Sequence, residues 1–222
     1  MQVIAGLLIP GQPAADIGAD HALLSIFLVE QQIAPRVIAT ELGDGPYQRL
    51  CKAVDNSTYA NCIAVRQGDG LQPLQPGEVR SVVMAGMGGE TMVQVLSYDW
   101  DRASSFDSFI FQPMSRSGAL RGALAQQGWE LTDEKLVEQN HHFFSIIAAL
   151  PGGQPYHLSP LEIDIGPILL RQTGPVPQAY RQQFWRSYQR TRQSLLQSKS
   201  SRSRLLLKEV DNKLEELEVY LR

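Results

Sequence analysis

"AADIGADHALLSIFLVEQ", residues 14–31, contains a change of period. Ala14 to Ile17 make a short apolar-rich run with Asp16 near its end, and Gly18 follows as a turn residue. Beyond the glycine, Leu23, Leu24, Phe27 and Leu28 recur at helical spacing. The stretch reads as strand, tight turn and helix, and the unit returns along the chain. "RVIATE" (36–41) is a second strand, followed by a helix over 46–56 that Pro46 opens. "CIAVRQG" (62–68) is a third. "VRSVVMAG" (79–86) is a fourth, with the unbroken apolar look of a parallel-sheet centre, and "GETMVQVL" is its helix. "DSFIFQP" (107–113) is a fifth, ahead of a helix over 117–127 for which Ser115 and Ser117 read as caps. "WELTDEKLVEQ" and "HHFFSIIAAL" complete the set as two strands turning near Asn140.

Strand alternating with helix predicts an α/β fold: a doubly wound, Rossmann-like sheet of seven strands, parallel with an antiparallel finish. "PGGQPYHLSP" (151–160) has the composition of a linker. Beyond it the pattern is helical throughout. Phe184, Tyr188 and Leu195 stand at four- and seven-residue steps, and Leu207, Val210, Leu214, Leu217 and Leu221 form a short heptad seam. With "SKSSRS" (198–203) between them, the two runs predict an antiparallel coiled-coil hairpin. The expected division is therefore 1–155 and 156–222. Phe184, Trp185 and Tyr188 read as packing residues of the hairpin rather than a base-stacking platform.

Hydrophobic residues make up 43% and charged residues 19%, a soluble globular composition. No window approaches the roughly 18 apolar residues of a membrane span. "MQVIAGLLI" lacks the basic start and cleavage site of a signal peptide, and Cys51 and Cys62 make no disulfide or metal framework. The expectation is a cytoplasmic protein without membrane association. The net charge of −3 hides a polarity: residues 1–164 carry −9, residues 165–208 carry nine Lys/Arg and no acid, and residues 209–222 carry −3. Such a basic segment suits a polyanion, although a solvated helix face would show the same count.

Ligands of open α/β sheets bind beyond the strand C-termini, so the strand ends carry the chemistry. The first, "DIGADH" (16–21), offers Gly18 for close backbone approach, but places Asp16 and Asp20 where a dinucleotide pyrophosphate would lie. Two carboxylates there disfavour NAD and nucleoside triphosphates and favour a cationic or zwitterionic ligand. Glu41, at the second strand end, is suited to the hydroxyls of a ribose. "GDG" (68–70) places Asp69 to accept an exocyclic amine, and "AGMGG" (85–89) is a loop poor in side chains on the central strand. An ammonium or sulfonium, a ribose and an adenine together describe S-adenosylmethionine.

"IPGQPAADIGADHA", "ELGDGPYQRL", "VRQGDGL", "MAGMGG" and "FQP", in this order, resemble the bacterial TrmK family, and the likeness covers nearly the whole chain. Members of that family methylate N1 of adenine 22 in tRNA with S-adenosylmethionine and end in a helical coiled-coil domain. The resemblance implies that Asp16, Gly18, His21 and Leu42 contact the cofactor, Glu41 its ribose, and Gly68, Asp69 and Gly70 its adenine; His21, at the start of a helix, reads equally as a packing residue or as a cofactor or substrate contact. Gly86 and Met87 would face the methyl group, and Gly88 and Gly89 the target base. Asp20 is the candidate catalytic carboxylate, offsetting the cation that develops on the purine. Arg186, Arg190 and Arg192 are the candidate phosphate contacts, and tRNA is the expected partner. Leu23, Ser25, Met114 and residues 141–145 stand where the family usually has Tyr, Pro, Asn and a Gly-Lys-x-Tyr-Glu stretch. Two other readings stand beside this one: methylation of a different RNA base, and a cofactor-binding module without turnover. His141 and His142 read as strand surface rather than as metal ligands.

Overall fold

The computed structural model describes residues 1–140, 142–198 and 200–221. The chain runs α1 (Gln2–Ala5), β1 (Ala14–Ile17), α2 (Leu23–Glu30), β2 (Val37–Glu41), α3 (Asp44–Asp55), β3 (Ile63–Gln67), β4 (Ser81–Met87), α4 (Gly89–Ser97) and α5 (Trp100–Ala103). It continues through β5 (Ser108–Pro113), α6 (Ser117–Gln126), β6 (Glu130–Gln139), β7 (His142–Leu150), α7 (Pro160–Ile165), α8 (Pro167–Arg171), α9 (Pro175–Leu196) and α10 (Ser201–Val219). The strands make one seven-stranded sheet in the order β3-β2-β1-β4-β5-β7-β6. The first five are mutually parallel, and β7 is antiparallel to both of its neighbours. The expected sheet, antiparallel finish and helical C-terminal pair are all present.

Both faces are covered, which is why the central strands are apolar on both sides. Val82, Met84, Phe109 and Phe111 face α4, α5 and α6 through Met92, Leu96, Ala103, Leu120 and Leu124. Val37, Ala39, Val83 and Ile110 face α1, α2 and α3 through Ile4, Leu24, Leu28, Leu50 and Val54. Chain order reverses between β1 and β4, where such sheets open a crevice at their C-terminal edge.

Three local expectations need correction. The helix after β2 begins at Asp44, because Gly43 supplies the extended N-cap conformation; Pro46 sits third in it rather than opening it. Ser115 and Ser117 do not cap α6: Arg116 holds that position in a left-handed conformation, and Ser117 Oγ accepts from Arg121 Nη1 instead. The stretch after the linker begins with two short helices, α7 and α8, the first closed by a Ser159/Glu162 capping box.

A buried ion pair ties α7 and α8 to the sheet. Arg121 Nε donates to Glu134 Oε1 at 2.7 Å with both side chains fully buried. The other Glu134 oxygen accepts the Ile168 and Leu169 N–H groups, and Arg121 Nη1 reaches the carbonyls of Ile163 and Asp164. Beyond α8, α9 lies along α10, with Tyr180, Tyr188, Leu214 and Leu217 buried, and Phe184, Trp185, Val210 and Leu221 packed against them. The aromatics of α9 are packing residues, as their spacing implies.

Candidate active site

Two cavities open at the C-terminal edge of the parallel strands. One, of about 420 Å3, is lined by Asp16, Gly18, Asp20, His21, Gly86 and Gln112, among others. The second, of about 270 Å3, is lined by Leu42, Asp69 and Leu71 together with Thr91, Val95 and Tyr98 of the α4 region. Glu41 joins them. Its Oε1 accepts the backbone N–H of Asp20 at 2.9 Å, and its Oε2 accepts that of Leu42 at 3.2 Å. Each carboxylate oxygen has further acceptor capacity, so the side chain can still take the paired hydroxyls of a ribose. The backbone continues this link: Thr40 carbonyl accepts the Gly18 and Ala19 N–H groups, and Glu41 carbonyl accepts that of Gly68. The loops after β1, β2 and β3 are thereby fixed to one another.

The two acids of the first loop occupy different environments. Asp16 is buried, and its Oδ2 accepts Ser25 Oγ at 2.7 Å. Burial pushes its pKa up to about 6, against the opposing effect of the Ser25 hydrogen bond. Asp20 is partly exposed, with a positive φ of 36°. Arg49 Nε donates to it at 2.8 Å and holds its carboxyl below the usual range, with His21 Nε2 at 3.5 Å. Asp16 is a carboxylate whose charge depends on its surroundings, whereas Asp20 stays ionised.

The donor set fits S-adenosylmethionine. Gly86 has φ +79° and nothing within 4 Å of where a Cβ would stand, so a side chain there would project into open cleft. Gly18 is held at φ +75°, a left-handed conformation that favours glycine; the Met87 Cε 3.0 Å from its Cβ position is the end of a flexible side chain. The carboxylates of Asp16 and Asp20 suit a cation in the larger cavity, Glu41 suits a ribose, and Asp69 suits an amine in the smaller. Gly68 and Gly70 shape the loop that carries Asp69. Gly88 is the extended N-cap of α4. Gly89 is turned away from the cleft: its N–H donates to Ser115 carbonyl, and a Cβ there would meet Arg116 carbonyl at 2.3 Å.

The basic segment is not one continuous surface. Arg181 is buried, donating to the carbonyls of Leu169, Leu170 and Gln172. Arg171 pairs with Glu162, and Arg192 Nε with Asp211 of α10 at 2.6 Å. Arg186 and Arg190 line a separate open groove with Gln182, Gln189, Glu138 and Phe143. Arg202, Arg204 and Lys208 are exposed on α10, and Lys199 lies outside the described residues, as does His141. Of the three arginines singled out from sequence, two share a groove, and Arg192 is engaged elsewhere.

Sequence reasoning missed Ser25 and Arg49 as partners of the site acids. Ser25 was visible only as a departure from the family pattern. Arg49 had the outward signal of a basic residue one turn into the helix after Glu41. Gln112 was read only as part of "FQP"; its Oε1 accepts the Gly86 N–H at 3.1 Å and fixes the loop after β4.

A family model described as a methyltransferase domain matches residues 1–147. The tRNA (adenine(22)-N(1))-methyltransferase of Bacillus subtilis is 29% identical over 180 residues, covering 79% of this chain and 76% of that protein. The crystal structure of the B. subtilis m1A22 tRNA methyltransferase TrmK superposes with a TM-score of 0.89 at 28% identity, covering 100% of this chain and 97% of that one. A Streptococcus pneumoniae protein solved in complex with S-adenosyl-L-methionine gives a TM-score of 0.83 at 26% identity, with 100% and 97% coverage. The resemblance carried by the short motifs thus extends over the full length and the full fold. The chain belongs to the methyltransferase-domain family and, within it, to the TrmK group.

Proposed function

We infer that this chain is an S-adenosylmethionine-dependent tRNA methyltransferase acting on N1 of adenine 22, the activity its B. subtilis relative is named for. The observation that carries the reading is Glu41, which joins a cavity suited to a cation to one suited to an adenine. No helix among the described residues is long and apolar enough to cross a membrane. We propose a cytosolic location, with residues 1–155 holding the cofactor and residues 156–222 serving RNA docking.

When bound, S-adenosylmethionine supplies an electrophilic sulfonium methyl group. Adenine N1 has a free lone pair, so the protein's task is chiefly alignment. Glu41 and Asp69 orient the nucleoside half, Asp16 holds the cationic half, and the Gly86 backbone lets the two reactants approach closely. Asp20, kept ionised by Arg49, offsets the positive charge that appears on the purine. Arg49 shares that charge, so the effect of Asp20 depends on how far the ion pair yields when RNA is bound. Incubating unmodified tRNA with the protein and labelled cofactor, then analysing nucleosides by mass spectrometry, should give 1-methyladenosine. Cofactor binding with no methylated nucleoside would withdraw the reading in favour of a module without turnover.

A further inference from the structure

Residues 1–164 carry a net charge of −9, yet an RNA strand must bring its target to a cleft in this acidic body. Several of the body's cations are already paired: Arg66 with Glu78, Arg80 with Asp107, Arg121 with Glu134 and Lys135 with Asp133. Arg49 is placed differently. It stands half-exposed in the second turn of α3, and its Nε donates to Asp20 Oδ1 at 2.8 Å. Asp20 lines the larger cavity, whereas Arg49 lines neither, so the guanidinium covers the outer side of that carboxylate. Its Nη1 and Nη2 groups donate to no described residue. Gly45 flanks them without a side chain, its Cβ position 3.7 Å from Nη1. Three residues on, Lys52 shares this face of α3, exposed and with no ion pair among the described residues. The first acid of the helix is engaged elsewhere: Asp44 Oδ1 accepts Gln67 Nε2 at 2.7 Å.

We propose that this face of α3 binds the sugar–phosphate backbone of the RNA at the mouth of the cofactor cleft, with the Nη edge of Arg49 on one phosphate and Lys52 on a neighbouring one; the inference rests on the RNA methyltransferase reading above. The Nη edge offers N–H donors in a fixed plane, which match two phosphate oxygens, and the Nε bond to Asp20 holds that fork in place. A carboxylate of the cofactor is the other anion to weigh, but the guanidinium lies outside the cavity walls, toward solvent. Phosphate contacts position a strand without reading its sequence. Here they fix the strand beside Asp20. A phosphate on the outer edge also counters the arginine charge, so Asp20 acts more fully on the cation that forms on the purine. One guanidinium thus joins docking to charge stabilisation. The site is separate from the groove of Arg186 and Arg190. Helix α3 packs on β2 and β3, at one end of the strand order, while that groove includes Glu138 of β6 at the other. The RNA is therefore held from both flanks of the cleft.

The test compares Arg49→Gln, Lys52→Gln, their double variant and Arg49→Lys on unmodified tRNA, with affinity measured from about 50 to 200 mM salt. Arg49→Gln should weaken tRNA binding by about tenfold at low salt, the scale of one hydrogen bond to a charged group. The double variant should lower the slope of log affinity against log salt by about two. Arg49→Lys should keep the native slope, since a phosphate also accepts a point charge. In the glutamine variants S-adenosylmethionine affinity should stay native or rise, because a positive charge is removed from beside a cationic ligand. Native tRNA affinity and slope in the double variant would overturn the proposal. A loss of cofactor affinity matching the loss of RNA affinity would overturn it too, by showing that Arg49 only holds the Asp20 loop. A native protein that neither binds nor methylates the tRNA withdraws the underlying function, and this site with it, which sets that failure apart from the other two.

Discussion

The carboxylate of Glu41 accepts the backbone N–H of Asp20 across 2.9 Å, so the acid ending β2 is also a structural part of the loop after β1. Its removal should act twice, through the lost ribose contact and through a loosened cofactor loop. Hydrogen bonds to a charged group contribute about 1.5–3 kcal/mol each. Glu41→Ala should therefore weaken S-adenosylmethionine binding by at least tenfold in calorimetry. Glu41→Gln should also weaken it, because its amide NH2 must face the N–H of either Asp20 or Leu42. Native affinity in both variants would remove Glu41 from the site.

Asp16 should make cofactor binding depend on pH. Its folded pKa of about 6 lies above the ordinary 3.8, so the folded state holds its proton longer than the unfolded chain does. Its contribution to stability is full below the unfolded value, declines as pH rises through about 4 to 6, and is flat above. A two-unit shift corresponds to about 3 kcal/mol across that window. A cationic ligand needs the ionised form, so affinity should fall as pH is lowered through about 6. Asp16→Asn should bind weakly with little pH dependence there, and should flatten the matching part of the stability profile. A native protein whose affinity is constant from about pH 7.5 to 5 would show that the Asp16 charge is not used.

Arg121 and Glu134 form a buried pair joining α6, β6 and the start of α8. Removing one partner of such a pair costs about 3–5 kcal/mol, because the other charge remains buried. Arg121→Met should lower the denaturation midpoint strongly and expose the linker near residue 155 to proteolysis. A midpoint within error of the native protein would show that the pair contributes nothing to holding α7 and α8 on the sheet.

Arg186 and Arg190 share a groove, whereas Arg192 is paired with Asp211. Reversing the charge of the first two should weaken tRNA binding and flatten its salt dependence, with cofactor affinity intact. Arg192→Gln should change RNA affinity less. Equal effects at all three positions would mean that the hairpin acts only through its overall charge.

The sheet was legible because each strand of the parallel half is short, apolar and followed by a turn and a 3.6-residue period. Right-handed crossovers then oblige the loops after β1 to β4 to share one edge, which is why the sequence alone places Asp16, Glu41 and Asp69 together. The helices α7 and α8 were not separable, since six and five residues are too few to display a period. Counting charges could not reveal that Arg181 is buried with its Nη1 donating to three carbonyls, because burial of a long side chain leaves no mark on composition.

The central claim is that a cleft joined by Glu41 delivers a methyl group to one adenine in tRNA. The most direct measurement maps the methylated nucleotide on an unmodified tRNA transcript, beside a transcript altered only at position 22. The account predicts one 1-methyladenosine, at position 22 of the first, and none in the second. Methylation of both transcripts, or of neither while S-adenosylmethionine still binds, would contradict it.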